Sequence, residues 1–172
     1  VSIDNELYTE ADFTFSGTSE ATRTEVGTQY MGLAEDQFEN TSEAFSEVEF
    51  VVNDGWVKIE PAKVNVTITG HTGTYTYDGE AHTVTGYEAE ADSKLYDEAT
   101  MIEFSGKSEA TRIEVGTTDM GLAEDQFKNT NANFEVEFSV TDGYVQINPI
   151  DKVTVTITGH TGTYTYDGEA HT

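Results

Sequence analysis

VTITGHTGTYTYDGEAHT occupies Val66–Thr83 and, letter for letter, Val155–Thr172. Gly159 follows Gly70 by 89 positions, and the same offset carries SEATR from Ser19–Arg23 onto Ser108–Arg112 and MGLAEDQF from Met31–Phe38 onto Met120–Phe127. The spacing slips by one residue at two places. LYTEADFTFSG from Leu7 returns one residue longer as LYDEATMIEFSG from Leu95, and SEAFSEVEFVVNDGW from Ser42 returns one residue shorter as NANFEVEFSVTDGY from Asn131. Such slips belong at segment junctions, where loops tolerate insertion. A period of about 89 residues exceeds the roughly 20–50 of solenoid repeats and fits a small independent domain. The chain therefore reads as a tandem array of small repeat domains: an incomplete repeat over 1–62, a complete one over 63–151, and the opening of a further one over 152–172.

The local pattern is β nearly throughout. VNVTIT from Val64 sets Val64, Val66 and Ile68 against Asn65, Thr67 and Thr69, the period of two that marks a half-buried strand, and TYTY from Thr74 alternates likewise. GHTG between them reads as a turn, so the two strands are expected to form an opening hairpin. EVEFVV, NDG and WVKIEP read as a second hairpin, matched by EVEFSV, TDG and YVQINP. Pro61 and Pro149 close these units, where no ladder donor is required. GLAEDQFEN and GLAEDQFKN are the one helix candidate per repeat, too short to stand without packing support. The fold class expected is all-β, or β-rich and β-grasp-like.

Composition excludes several classes. The sequence has 33 acidic and 8 basic residues, a net charge of −25, and no cysteine. Nucleic-acid binding needs Lys and Arg patches that release counterions, and an anionic membrane surface needs the same. No apolar run approaches the length of a membrane span. The charge reads as a well-solvated, self-repelling surface that keeps an array soluble and extended. No secretion signal or wall anchor is read within these residues.

A KVTVTITG opening over Lys152–Gly159, YDG at Tyr77–Gly79 and Tyr166–Gly168, VGT at Val26–Thr28 and Val115–Thr117, and a closing NFEVEFSVTDGYVQINP over Asn133–Pro149 together resemble the MBG/YDG-type tandem repeats of large bacterial cell-surface proteins and adhesins. The resemblance covers essentially the whole chain, through strand and turn chemistry. It implies a non-enzymatic, extracellular stalk, spacer or filament on the bacterial cell surface, with copies of itself as partners and no cofactor. The competing expectation is an adhesive module that recognises a host glycan or protein.

Several residues are candidates for chemistry, and each has a plainer role. His71, His82, His160 and His171 fall at repeat-equivalent turn positions without the spaced partner set of a metal site. Arg23 and Arg112 sit among Glu20, Glu25, Glu109 and Glu114, where surface salt bridges are expected. The acidic AED and YDGE clusters lack a calcium-loop pattern. Trp56 and Tyr144 follow the same turn and are the candidates for stacking on a sugar; packing is the plainer reading. Lys63, Lys152, Asn40 and Asn129 are equivalent pairs suited in type to an isopeptide cross-link. No nucleophile elbow, phosphate loop or zincin motif occurs, so no enzymatic activity is expected.

In repeat register the first repeat lacks its opening segment, and a spare copy of it stands at 152–172. Such a body exposes ladder edges, which an added strand satisfies. The expectation is that Lys152, Val153, Val155, Ile157, Tyr164 and Tyr166 complete residues 1–62 of a neighbouring chain. The plainer alternative is a continuous array in which this contact belongs to the covalent next repeat.

Overall fold

Short alternating runs separated by Gly, Asp and Asn give many short strands, and the chain is β-rich with small two- and three-stranded sheets. In the computed structural model, which describes residues 1–172, the order is β1 (Phe13–Phe15), β2 (Gly27–Tyr30), β3 (Phe38–Asn40), β4 (Trp56–Ile59), β5 (Ala62–Gly70), β6 (Thr72–Thr76), β7 (His82–Thr85), β8 (Tyr87–Ala91), α1 (Glu98–Met101), β9 (Ile102–Phe104), β10 (Glu109–Arg112), β11 (Gly116–Asp119), β12 (Phe127–Asn129), β13 (Phe134–Thr141) and β14 (Tyr144–Asn148). The helix candidates are single 3-10 turns, Glu35–Gln37 and Glu124–Gln126, each running straight into a strand.

Segments alike in sequence carry alike pairs. β1 is antiparallel to β3 with Phe15 opposite Phe38, and β9 to β12 with Phe104 opposite Phe127. β2 pairs β4, and β11 pairs β14. Both one-residue slips have a local account. After Leu7 the chain makes a 3-10 turn over Glu10–Asp12, with the Asp12 carboxylate accepting the Thr9 N–H and hydroxyl at 2.8 Å each. The extra residue after Leu95 converts this into the α-turn α1, capped by Asp97, whose carboxylate accepts the Ala99 N–H at 3.1 Å and the Thr100 hydroxyl at 2.9 Å. At the second slip, Phe45 and Phe134 take the same place: each ring meets a tyrosine edge-on, Tyr8 at 5.2 Å and Tyr96 at 5.3 Å. The additional residue of the first copy is absorbed between Phe45 and Val48.

Both expected hairpins are absent. β5 runs parallel to β13 from Ala62 opposite Phe134 to Thr69 opposite Thr141, and β6 runs parallel to β14 from Thr72 opposite Tyr144 to Thr76 opposite Asn148. GHTG joins β5 to β6 and TDG joins β13 to β14, and neither segment pairs the strands on its two sides. Two backbones turn a corner together only where both lack side chains. A Cβ on Gly70 would meet the backbone nitrogen and Cα of Gly143 and would lie 2.9 Å from Leu122 Cδ1. The Tyr144 N–H donates to the His71 carbonyl at 3.2 Å across this corner. The opening segment of a repeat is thus a donor of two parallel strands, and the intervening chain supplies the long connection that parallel pairing requires.

By its contacts the chain forms two compact units, Val1–Thr69 with Glu88–Gly106 and Ala123–Thr141, and Gly70–Tyr87 with Lys107–Leu122 and Asp142–Thr172. The first holds the β13-β5-β8 sheet and a core of Tyr8, Val64, Val66, Ile68, Tyr96 and Phe127. The second holds the β11-β14-β6 sheet and the β7–β10 pair, with Val84, Ala110, Met120, Leu122, Val145 and Ile147 buried.

Candidate functional site

The two copies of the repeat body differ in what lies beside them. In residues 95–149, β13 has β5 as a parallel neighbour, β14 has β6 on one side and β11 on the other, and β10 has β7. In residues 1–61, the counterparts of β13 and β10 form no strand, and β4 pairs β2 alone. Burial follows the missing neighbours. Val145, Ile147 and Leu122 are buried, whereas their counterparts Val57, Ile59 and Leu33 are only half-buried.

Residues 47–52 nonetheless alternate in burial. Val48, Phe50 and Val52 are half-buried while Glu47, Glu49 and Val51 are exposed, the same alternation that β13 shows beside β5. Phe50 already packs against Phe13 and Phe38, with ring centroids 5.6 and 5.7 Å apart. The Asn40 side-chain amide holds the approach by donating to the carbonyls of Ser42 and Phe45 at 3.2 and 3.1 Å. Its oxygen accepts the Tyr8 hydroxyl at 3.1 Å.

Residues 155–172 repeat the sequence of 66–83 in a different setting. They form no strand and are exposed throughout. Val155 is 76% and Ile157 89% exposed, while their twins Val66 and Ile68 are fully buried on β5. The segment still keeps one local fold. The Asp167 carboxylate accepts the Glu169 N–H at 2.9 Å and meets His171 Nε2 at 3.0 Å, and the Tyr164 ring stacks on His171 at 4.2 Å. The same loop in the first copy has Asp78 on the Glu80 N–H at 2.9 Å and on His82 Nε2 at 3.1 Å, with Tyr75 stacked on His82 at 4.1 Å. The YDGEAH loop therefore closes with or without a ladder beside it. The Glu80 amide, and next the His82 ring, hold the Asp78 carboxyl below its ordinary range.

The remaining candidates fall elsewhere. Trp56, 59% exposed, stands opposite the equally open Tyr30 on the β2–β4 pair, whereas Tyr144 is half-buried opposite Asp119. The Asn129 amide donates to the Asn131 and Phe134 carbonyls at 2.8 Å each, so both asparagines named for a cross-link serve as backbone clasps. Lys63 is exposed on β5 in register with Glu135, and Lys152 is exposed in the terminal segment. Arg23 and Arg112 do not form the expected salt bridges. Arg112 donates to the Val115 carbonyl at 2.8 Å and the Thr117 carbonyl at 3.2 Å, and Arg23 to the Glu25 carbonyl at 2.7 Å. Each guanidinium lies where a Cβ on Gly27 or Gly116 would stand, and both glycines have φ near +130°. The turn glycine leaves room for the guanidinium, which donates to the backbone carbonyls of its own turn and forms no ion pair with the neighbouring carboxylates.

Asp54 and Asp142, read from sequence only as turn residues, prove to be stitches. The Asp142 carboxylate accepts the Gly121 and Leu122 N–H groups at 2.9 Å each, and Asp54 accepts those of Gly32 and Leu33 at 3.0 Å each. The signal for them was the MGL segment, whose glycine needs φ near +80° and so turns two amides to one side.

No group of three or more His, Cys, Asp and Glu side chains is assembled, and no helix is long and apolar enough to cross a membrane. Comparison with protein-family models, with curated proteins and with solved structures finds no match to this chain.

Proposed function

We propose that the chain is a structural segment of an extracellular tandem array, a stalk, spacer or filament on a bacterial surface, whose product is length rather than catalysis. The observation that carries this reading is the pair formed by one sequence in two states: Val66–Thr83 seated in two parallel ladders, and its twin Val155–Thr172 open to solvent. A segment repeated without change beyond the body it completes is suited to serve another body of the same kind. The net charge of −25 supports the reading, because self-repulsion keeps a long array extended and soluble. The β-grasp-like description and the period of about 89 residues belong to this proposal.

The test is scattering from chains carrying one and two further copies of residues 63–151. The maximum dimension is expected to grow by an equal increment with each added copy. No growth, or collapse to a globular particle, would count against a stalk. A second reading, a glycan-binding module, is favoured by the exposed cross-strand pair Trp56 and Tyr30. Reproducible glycan-array binding lost in Trp56→Ala would move the assignment to that reading.

A further inference from the structure

We infer that Asn133 sets the joint between consecutive repeat bodies, its side-chain amide clasping the VGT turn of the body before its own. The bodies concerned are residues 1–61 and 63–151, and the contact joins positions 107 apart in the chain. This deepens the array reading and rests on it, because a joint matters only where bodies follow one another.

The VGT turn is shaped by its own body. Gly27 has φ +131°, and the Arg23 guanidinium donates to the carbonyls of Glu25 and Val26. The second body builds the same turn, with Gly116 at φ +132° and Arg112 on the Val115 carbonyl at 2.8 Å. With those carbonyls taken up, the first turn has one backbone donor and one carboxylate left for a partner, the Val26 N–H and the Glu25 side chain. A primary amide fits that pair, since it holds an acceptor and a donor side by side on one planar group. Asn133 Oδ1 accepts the Val26 N–H at 2.8 Å, and Asn133 Nδ2 donates to the Glu25 carboxylate.

Asn133 is held in turn from its own side. Its N–H donates to Asn131 Oδ1 at 2.9 Å, and the Asn131 N–H donates to Asn129 Oδ1 at 3.0 Å. Its carbonyl accepts the N–H of Ala62 at 2.9 Å, where β5 begins. Only Glu60 and Pro61 separate β4 of the first body from β5. One residue of the second body thus grips the first body at its turn and the link at its far end. Two attachments about so short a link oppose the swivel it would otherwise allow, and the fixed φ of proline narrows that swivel further. The first body carries no such grip. Its loop after β3 matches, the Phe45 N–H on the Ser42 carbonyl corresponding to the Phe134 N–H on that of Asn131, but Ala44 takes the place of Asn133. The difference between a clasped and an unclasped joint is therefore written at one position of an otherwise shared body.

The test compares variants of the full chain with wild type by NMR. Asn133→Ala installs the residue that the first body carries. It should lower the protection of the Val26 amide against exchange by about tenfold or more. Nitrogen relaxation should then report separate tumbling of residues 13–59 and 134–141, against common tumbling in wild type. Asn133→Asp keeps an acceptor for the Val26 N–H but sets a second carboxylate against Glu25, and should loosen the joint likewise. Adding Glu25→Gln to Asn133→Asp exchanges amide and carboxylate across the contact and should restore both protection and common tumbling. Independent tumbling already in wild type, or Val26 protection unchanged in Asn133→Ala, overturns the clasp. A double variant as loose as Asn133→Asp overturns the two-point recognition, and this arm decides even where Asn133→Ala unfolds. All of these readings come from one chain, so a failed length increment on added copies removes the array reading without altering them, and a failed clasp leaves that increment intact.

Discussion

Ile68 lies opposite Val140 in the parallel ladder and is fully buried, while Ile157, its twin in an identical stretch of sequence, is 89% exposed. The pair gives an internal control for burial. Ile68→Ala removes core volume and is expected to destabilise the chain by about 2–5 kcal/mol. Ile157→Ala should fall within about 0.5 kcal/mol of wild type in dilute solution. Urea unfolding at low protein concentration measures both, and equal losses would contradict the difference in environment.

Tyr96 donates its hydroxyl to the Met101 carbonyl at 3.1 Å and to Asn129 Oδ1 at 3.3 Å. Burial raises the Tyr96 phenol above its ordinary value, and the Glu98 carboxylate adds to the effect. Tyr96→Phe keeps the ring against Phe134 and removes one hydroxyl proton, while the Met101 carbonyl keeps the Thr130 N–H at 2.9 Å and Asn129 Oδ1 keeps the Asn131 N–H at 3.0 Å. The expected cost is therefore that of one hydrogen bond, about 0.5–1.5 kcal/mol by thermal or urea unfolding. Because the folded phenol ionises later than the unfolded one, this contribution is full below the unfolded tyrosine range and fades as pH rises through the folded value.

Asp142→Ala should release the Gly121 and Leu122 amides, which have one carboxylate between them. A loss of about 1.5–3 kcal/mol is expected, with faster hydrogen exchange confined to those two amides and their neighbours. Asn at this position keeps one acceptor and should lose less. Uniformly faster exchange across the chain would point to global unfolding rather than a local stitch.

The period-two alternation of Val64, Val66 and Ile68 identified a strand and its buried face, and the structure buries all three. The corners were illegible because GHTG and TDG carry the residues of a turn. Whether such a segment reverses the chain or only redirects it depends on the partner strand, and Gly70 can bend beside Gly143 only because both lack a Cβ. Parallel pairing of β5 with β13 joins segments far apart in the chain, and periodicity reports a face without naming the neighbour. Arg112 was similarly misjudged: its charge suggested a carboxylate partner, but it donates to the backbone carbonyls of its own turn.

The YDGEAH loop should open in acid. Hydrogen bonds from the Glu80 amide and the His82 ring lower the Asp78 pKa, so the folded loop binds its proton later than the unfolded chain does. The stabilisation is therefore complete above the unfolded value of about 3.9 and is lost as pH falls through the lower folded value. The protection of the Glu80 amide, its exchange rate relative to that of an unstructured peptide at the same pH, should be lost between about pH 5 and about pH 2. In Asp78→Asn the acid-dependent change should disappear. An unchanged transition in that variant would assign it to another carboxylate.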